Sequence, residues 1–138
     1  TAAIAQGALV AEAMGLPFVY VRASAKDHGR ENLIEGEVTK GQSVVVIEDL
    51  ISTGKSSLKA VEALKEADCK VKGMISIFTY GFPLAATNFE NEQCPLISLC
   101  DYSILLEQAV ESNYIKAKDL EILNQWKQEP DKWTGVIS

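Results

Sequence analysis

Two rhythms of apolar and polar positions alternate along this chain. Residues 1–14 are rich in alanine and place Ile4, Leu9, Val10 and Met14 where one helical face can use them. Gly15 then stands where helices commonly end in a left-handed residue, and Pro17 blocks continuation. Phe18-Val19-Tyr20-Val21 is aromatic and β-branched, which predicts a short buried strand. From Arg22 to Leu33 the period is lost, and Ser24, Lys26, Asp27, His28, Gly29, Arg30 and Asn32 make a polar loop. Loops of about ten residues are long for a compact domain and are usually functional or disordered. Alternation over residues 34–38, a turn at Lys40-Gly41 and the run Val44-Val45-Val46-Ile47 predict a strand pair. A helix is expected over residues 56–67, with Leu58, Val61 and Leu64 on one face and Lys59, Glu62, Lys65 and Glu66 opposite. Residues 71–79 are nearly continuous in apolar character, the pattern of a strand covered on both sheet faces. A short helix after Pro83, a strand at 96–99 and helices near 104–111 and 116–127 complete the chain. Strands alternating with helices predict an α/β fold, a mainly parallel sheet flanked by helices, in one domain over residues 1–138.

Composition narrows the classes. The net charge of −6 and the lack of a long basic tract argue against nucleic-acid binding over a broad face, while a local basic loop can still grip an anion. No apolar run approaches the roughly 18 residues of a membrane span, so no membrane association and a cytoplasmic location are expected. Cys69, Cys94 and Cys100 are odd in number and not closely paired, which suggests reduced thiols rather than a zinc site. The chain opens at Thr1 directly into a helical pattern, which gives the expectation of a C-terminal portion lacking an N-terminal segment.

The chemistry concentrates between Val44 and Ser56. A buried strand carries two acids, Glu48 and Asp49, at its carboxyl end, where ligands bind in open α/β sheets. The stretch Ser52-Thr53-Gly54-Lys55-Ser56 then opens a helix. Its clustered backbone N–H groups and the positive helix end form a receptor for a phosphate. Two carboxylates so near suit the hydroxyls of a ribose, from which they can accept hydrogen bonds. Gly54-Lys55-Ser56 also ends like a nucleotide-hydrolase phosphate loop, but that motif requires glycine where Asp49 stands. The plain alternative is a strand with an acidic edge and an ordinary Ser/Thr helix cap.

Val-Val-Val-Ile-Glu-Asp-Leu-Ile-Ser-Thr-Gly resembles the signature of type I phosphoribosyltransferases. The resemblance implies that fold and the binding of 5-phosphoribosyl 1-diphosphate (PRPP), with Glu48 and Asp49 on the ribose and Ser52, Thr53, Gly54, Lys55 and Ser56 on the 5-phosphate. The segment from Tyr20 to Gly29, with Lys26-Asp27-His28-Gly29 at its core, resembles the catalytic loop of orotate phosphoribosyltransferases. On chemistry alone, Arg22, Lys26, His28 and Arg30 make a cationic lid over a diphosphate leaving group. Arg22 and Lys26 would stabilise the leaving group, and His28 is the candidate proton donor. Together the resemblances imply phosphoribosyl transfer from PRPP to orotate with Mg²⁺ carried mainly by PRPP. Lys26, His28 and Asp49 become the catalytic candidates, and a homodimer whose loop acts across subunits is implied. The chain departs from the family in two places: Ala23 replaces a frequent second lysine, and no arginine follows the strand at 71–79. Orotate contacts are therefore expected from Ser52 or Thr53, from backbone groups or from a preceding segment. A purine phosphoribosyltransferase and a non-catalytic PRPP-binding regulator are the alternatives.

Overall fold

The computed structural model describes residues 3–23 and 33–134. Helix α1 (Ala3–Met14) leads to the short strand β1 (Tyr20–Val21), which pairs antiparallel with β2 (Ile34–Glu35). A three-stranded parallel sheet follows in the order β3 (Ser43–Ile51), β4 (Lys70–Thr79), β5 (Leu96–Asp101). Helix α2 (Lys55–Glu66) joins β3 to β4, and α3 (Pro83–Asn91) joins β4 to β5. Helices α4 (Tyr102–Glu111) and α5 (Leu120–Gln128) end the fold, with 3-10 turns at Ala117–Asp119 and Pro130–Lys132. Among the described residues no helix is long and apolar enough to cross a membrane.

The α/β class and the parallel sheet are as the sequence predicts, while four local expectations change. Residues 34–38 do not pair with the strand at 44–47; β2 pairs with β1 instead, and the chain from Arg22 to Leu33 is clasped at its base by Arg22 N–H donating to Leu33 O at 2.8 Å. The alternation was legible, but the choice of partner is a tertiary matter. The strand at 18–21 is not buried, since Phe18 and Tyr20 are exposed. The apolar residues assigned to α1's inner face also point outward: Leu9 and Met14 are exposed, and the small residues Gly7 and Ala11 are buried. Close packing explains this, because a Cβ on Gly7 would meet the Phe18 ring at 2.8 Å.

The core lies on one sheet face. Val46, Met74 and Leu96 stand in register across the three strands and pack with Leu58 and Val61 of α2 and with Ala85 and Phe89 of α3. The other face is not covered as the continuous apolar run suggested: Ile77, Ile97 and Leu99 are exposed, Leu99 at 73%. A smaller cluster of Ile34, Leu64 and Cys69 ties the β1–β2 pair to α2. All three cysteines are free, and burial pushes the Cys94 thiol upward.

At the carboxyl end of β4 the aromatic rings gather. Tyr80 stacks on Phe82 with centroids 5.3 Å apart, and Trp126 from α5 meets Tyr80, Phe82 and Tyr102 at 5.5, 6.0 and 5.2 Å. Trp126 thus anchors the ring cluster by packing. Its removal strips three ring contacts and leaves a void in a half-buried site. Trp126→Ala is expected to cost about 2–3 kcal/mol, read as a lower urea midpoint at unchanged slope. An unmoved midpoint would contradict the anchoring role.

Candidate active site

β3 continues past the two acids to Ile51, so Glu48 and Asp49 are strand residues near its carboxyl end. Glu48 is the inner member. Ser57, buried in the first turn of α2, donates from its Oγ to Glu48 Oε2 at 2.8 Å, and the Asp49 backbone N–H donates to Glu48 Oε1 at 3.0 Å. Asp49 Oδ1 accepts from the Leu50 backbone N–H at 2.9 Å. Burial pushes the Glu48 carboxyl above the usual glutamate range, contact with the Asp49 carboxyl adds to this, and the Ser57 hydroxyl pulls it back. Asp49 is held below the usual aspartate range, chiefly by its side-chain hydrogen bond with Glu48. One acid is thus prone to hold a proton while its neighbour stays ionised.

The turn after β3 is built around Gly54, which has φ +80° and serves as the N-cap of α2. No side chain caps this helix, so a Ser/Thr cap is not what the cluster supplies. The first-turn N–H groups lack intrahelical partners, as at every helix start, and no side chain caps them. A Cβ on Gly54 would meet Phe89 Cε2 at 2.6 Å, so the residue is fixed by backbone twist and by space together. Asn88 Nδ2 donates to Thr53 O at 2.9 Å and anchors the turn to α3. Ser52, Lys55 and Ser56 are exposed around it, and Thr53 is half-buried. The Tyr80 N–H donates to Ile51 O at 3.1 Å, which locks the ends of β3 and β4 together beneath the turn.

The structure therefore gathers Glu48, Asp49, Ser52, Thr53, Gly54, Lys55 and Ser56 at one sheet end. Arg22 lies instead at the end of β1, with its guanidinium 3.4 Å from the Glu35 carboxylate. Lys26 and His28 lie outside the described residues. Sequence reasoning missed three contributors. Ser57 was detectable as a polar residue on the stripe it shares with Val61 and Leu64. Asn88 carried no local signal. Lys127 comes from distant α5; its Nζ donates to Ser103 Oγ at 3.1 Å and lies beside Gly81, in the turn after β4 where no arginine stands.

The carboxyl pair makes a pH prediction. An ionised Glu48 accepts hydrogen bonds from a diol better than a protonated one, so affinity for the PRPP that the sequence resemblance implies is expected to fall as pH drops through the raised Glu48 value, with Asp49 still ionised. Ser57→Ala removes the bond that favours the anion, so the inflection should move to higher pH. The same variant is expected to lose about 1 kcal/mol of stability. For the fold itself the sign is opposite: a raised carboxyl value stabilises the folded state at low pH, and that contribution is lost as pH rises through it. Calorimetric titration with PRPP from pH 5 to 8 reads the inflection, and an unmoved one in Ser57→Ala would dismiss the coupling.

Comparison with known proteins agrees with this geometry. The phosphoribosyl transferase domain family matches residues 2–88. The chain is 55% identical over 133 residues to the orotate phosphoribosyltransferases of Porphyromonas gingivalis and Bacteroides thetaiotaomicron, covering 96% of this chain and 63% of each relative. It thus spans less than two thirds of these relatives' length. The crystal structure of orotate phosphoribosyltransferase from Aeropyrum pernix is 30% identical with a TM-score of 0.66, over 73% of this chain and 56% of that one. The family match takes in the acidic strand, the glycine turn and the Asn88 that anchors it, and the chain belongs to the phosphoribosyltransferase family.

Proposed function

We propose that this chain is the PRPP-binding core of an orotate phosphoribosyltransferase. It transfers the 5-phosphoribosyl group from PRPP to orotate, giving orotidine 5-monophosphate and diphosphate in pyrimidine (UMP) biosynthesis. The observation that carries this is the half-buried Glu48–Asp49 pair followed at once by an uncapped helix start turned on Gly54. The likeness to orotate phosphoribosyltransferases supports orotate as the base.

In this reading the 5-phosphate sits on the N–H groups of residues 54–57, with Ser52, Thr53, Lys55 and Ser56 around it. Glu48 and Asp49 accept from the ribose 2- and 3-hydroxyls and fix the ring. When the C1–oxygen bond breaks, its electron pair leaves with diphosphate and positive charge grows on the sugar. The carboxylates lie on the side of that positive charge, and the cations Arg22 and Lys26 face the leaving group, with His28 as the proton donor. Arg22 must exchange its Glu35 partner to do so. Ser52 and Thr53 are the base contacts within the turn. The sites also fit Mg²⁺, a hard cation that takes oxygen ligands and keeps its own waters. The ion would be carried mainly by PRPP. When bound, it neutralises charge on the diphosphate. A homodimer with the loop reaching across subunits, and a cytoplasmic setting, complete the proposal.

The test uses a chimera in which this chain replaces the aligned part of the P. gingivalis relative. It is supplied with PRPP, Mg²⁺ and a panel of free bases, and the product is identified. Orotidine 5-monophosphate formation that collapses on Lys26→Ala supports the reading. A purine nucleotide product would reassign the base, and PRPP binding without transfer would make the protein a regulator.

A further inference from the structure

Ile51, Thr79 and Asp101 stand in register at the carboxyl ends of the three parallel strands, and an ammonium is placed among those ends. The Tyr80 N–H bond to Ile51 O ties the turn after β4 to the end of β3, one residue before Ser52. Lys127 reaches this place from the last turn of α5. Its Nζ donates to Ser103 Oγ in the first turn of α4, just after β5. The same Nζ lies 3.7 Å from where a Cβ on Gly81, just after β4, would stand. The charge thus spans the ends of β4 and β5, at the sheet end where open α/β folds bind ligands. It is also held in place. The adjoining Trp126 meets the rings of Tyr80, Phe82 and Tyr102, so the end of α5 cannot swing away without breaking those contacts.

Lys127 is half-buried, yet among the described residues no carboxylate comes within ion-pair distance of it, and its hydrogen-bond partner is a neutral hydroxyl. Gly81 leaves the approach open, because a residue without a side chain puts nothing over the ammonium. A fixed cation with a neutral partner and an open side suits an anionic ligand, to which charge-assisted hydrogen bonds are strong.

We propose that Lys127 is a specificity-determining residue that takes the carboxylate of orotate, an inference that rests on the function proposed above. Orotate is a uracil ring carrying a carboxylate, which is ionised at neutral pH. Removing that group from water is costly unless a cation pairs with it. The other cations of the reading have different partners: Lys55 sits in the turn given to the 5-phosphate, and Arg22 and Lys26 are given to the leaving diphosphate. Lys127 stands instead past the end of β4, beside the turn whose Ser52 and Thr53 are the proposed base contacts. The plain alternative is a clamp between α5 and α4, which predicts lost stability and no preference between substrates.

Lys127→Gln and Lys127→Arg are made in the P. gingivalis chimera, and steady-state kinetics are measured with orotate and PRPP varied separately. In Lys127→Gln the KM for orotate is expected to rise at least about tenfold, while that for PRPP stays within about twofold of the parent's. Lys127→Arg keeps the charge and is expected to recover most of the orotate affinity. An orotate KM unmoved by Lys127→Gln overturns the proposal and leaves the reaction intact. So does an equal rise in both KM values, the mark of a clamp, or a rise for PRPP alone. An arginine variant as poor as the glutamine one overturns the role of charge. A parent chimera that forms no orotidine 5-monophosphate overturns the proposed function, and this proposal with it.

Discussion

Asp49→Asn in the P. gingivalis chimera is expected to lower kcat/KM for orotidine 5-monophosphate formation by at least about a hundredfold, or about 2.7 kcal/mol of transition-state stabilisation. Asp49 is the ionised member of the pair, held below the usual aspartate range by Glu48. Replacing it removes a charge-assisted acceptor for a ribose hydroxyl, each such bond being worth about 1.5–3 kcal/mol. It also removes negative charge from beside a sugar that becomes positive as diphosphate leaves. The neighbour suffers in turn, since a neutral amide at this position can no longer act as the anion partner of Glu48. Because asparagine is nearly isosteric with aspartate and Asp49 is only half-buried, the fold should be unaffected, and its stability should stay within about half a kcal/mol of the parent's. Steady-state kinetics with both substrates varied separates the effects. A loss below tenfold would remove Asp49 from the catalytic set.

Gly54→Ala carries the largest stability effect. Its φ of +80° costs a residue with a Cβ about 1–2 kcal/mol. The added carbon would also sit 2.6 Å from Phe89 Cε2, and Phe89 is a buried member of the main core. Displacing a packed ring costs about 1–3 kcal/mol, so the expected sum is about 2–5 kcal/mol, read from the urea midpoint. Donor affinity should fall with it, because the turn that aims the α2 N–H groups must untwist. A loss under about 1 kcal/mol would mean that the ring yields freely and that the turn is less constrained than its geometry implies.

These two residues divide between what the chain states locally and what it does not. Asp49 was legible because a strand's apolar run ends beside two acids and a Ser/Thr/Gly turn, all within one short stretch. Local chemistry of this kind needs no knowledge of distant partners. The helix over residues 55–66 was legible for the same reason, through the spacing of Leu58, Val61 and Leu64. The role of Gly54 was only half legible. A glycine before a helix suggests a positive φ, but the Phe89 ring that forbids a Cβ arrives from a different helix, far along the chain. Asn88 and Lys127 were silent in the sequence for that reason, and Ser57 spoke only as a polar residue on an apolar stripe.

By itself, then, the sequence determined the periodic elements, the α/β class and the identity of the acid-and-turn cluster, because propensity, alternation and turn chemistry act over short spans. Tertiary structure decided which strand pairs with which. It sent β2 to β1 rather than to β3, and it turned Gly7 of α1 inward, where the Phe18 ring leaves no room for a Cβ. It also left one sheet face open and, among the described residues, the outer edges of β3 and β5. Apolar residues are equally apolar whether or not something covers them, so the run from 71 to 79 could not reveal that Ile77 faces outward. Burial is a property of the assembled layers, and only the packed structure shows where those layers stop.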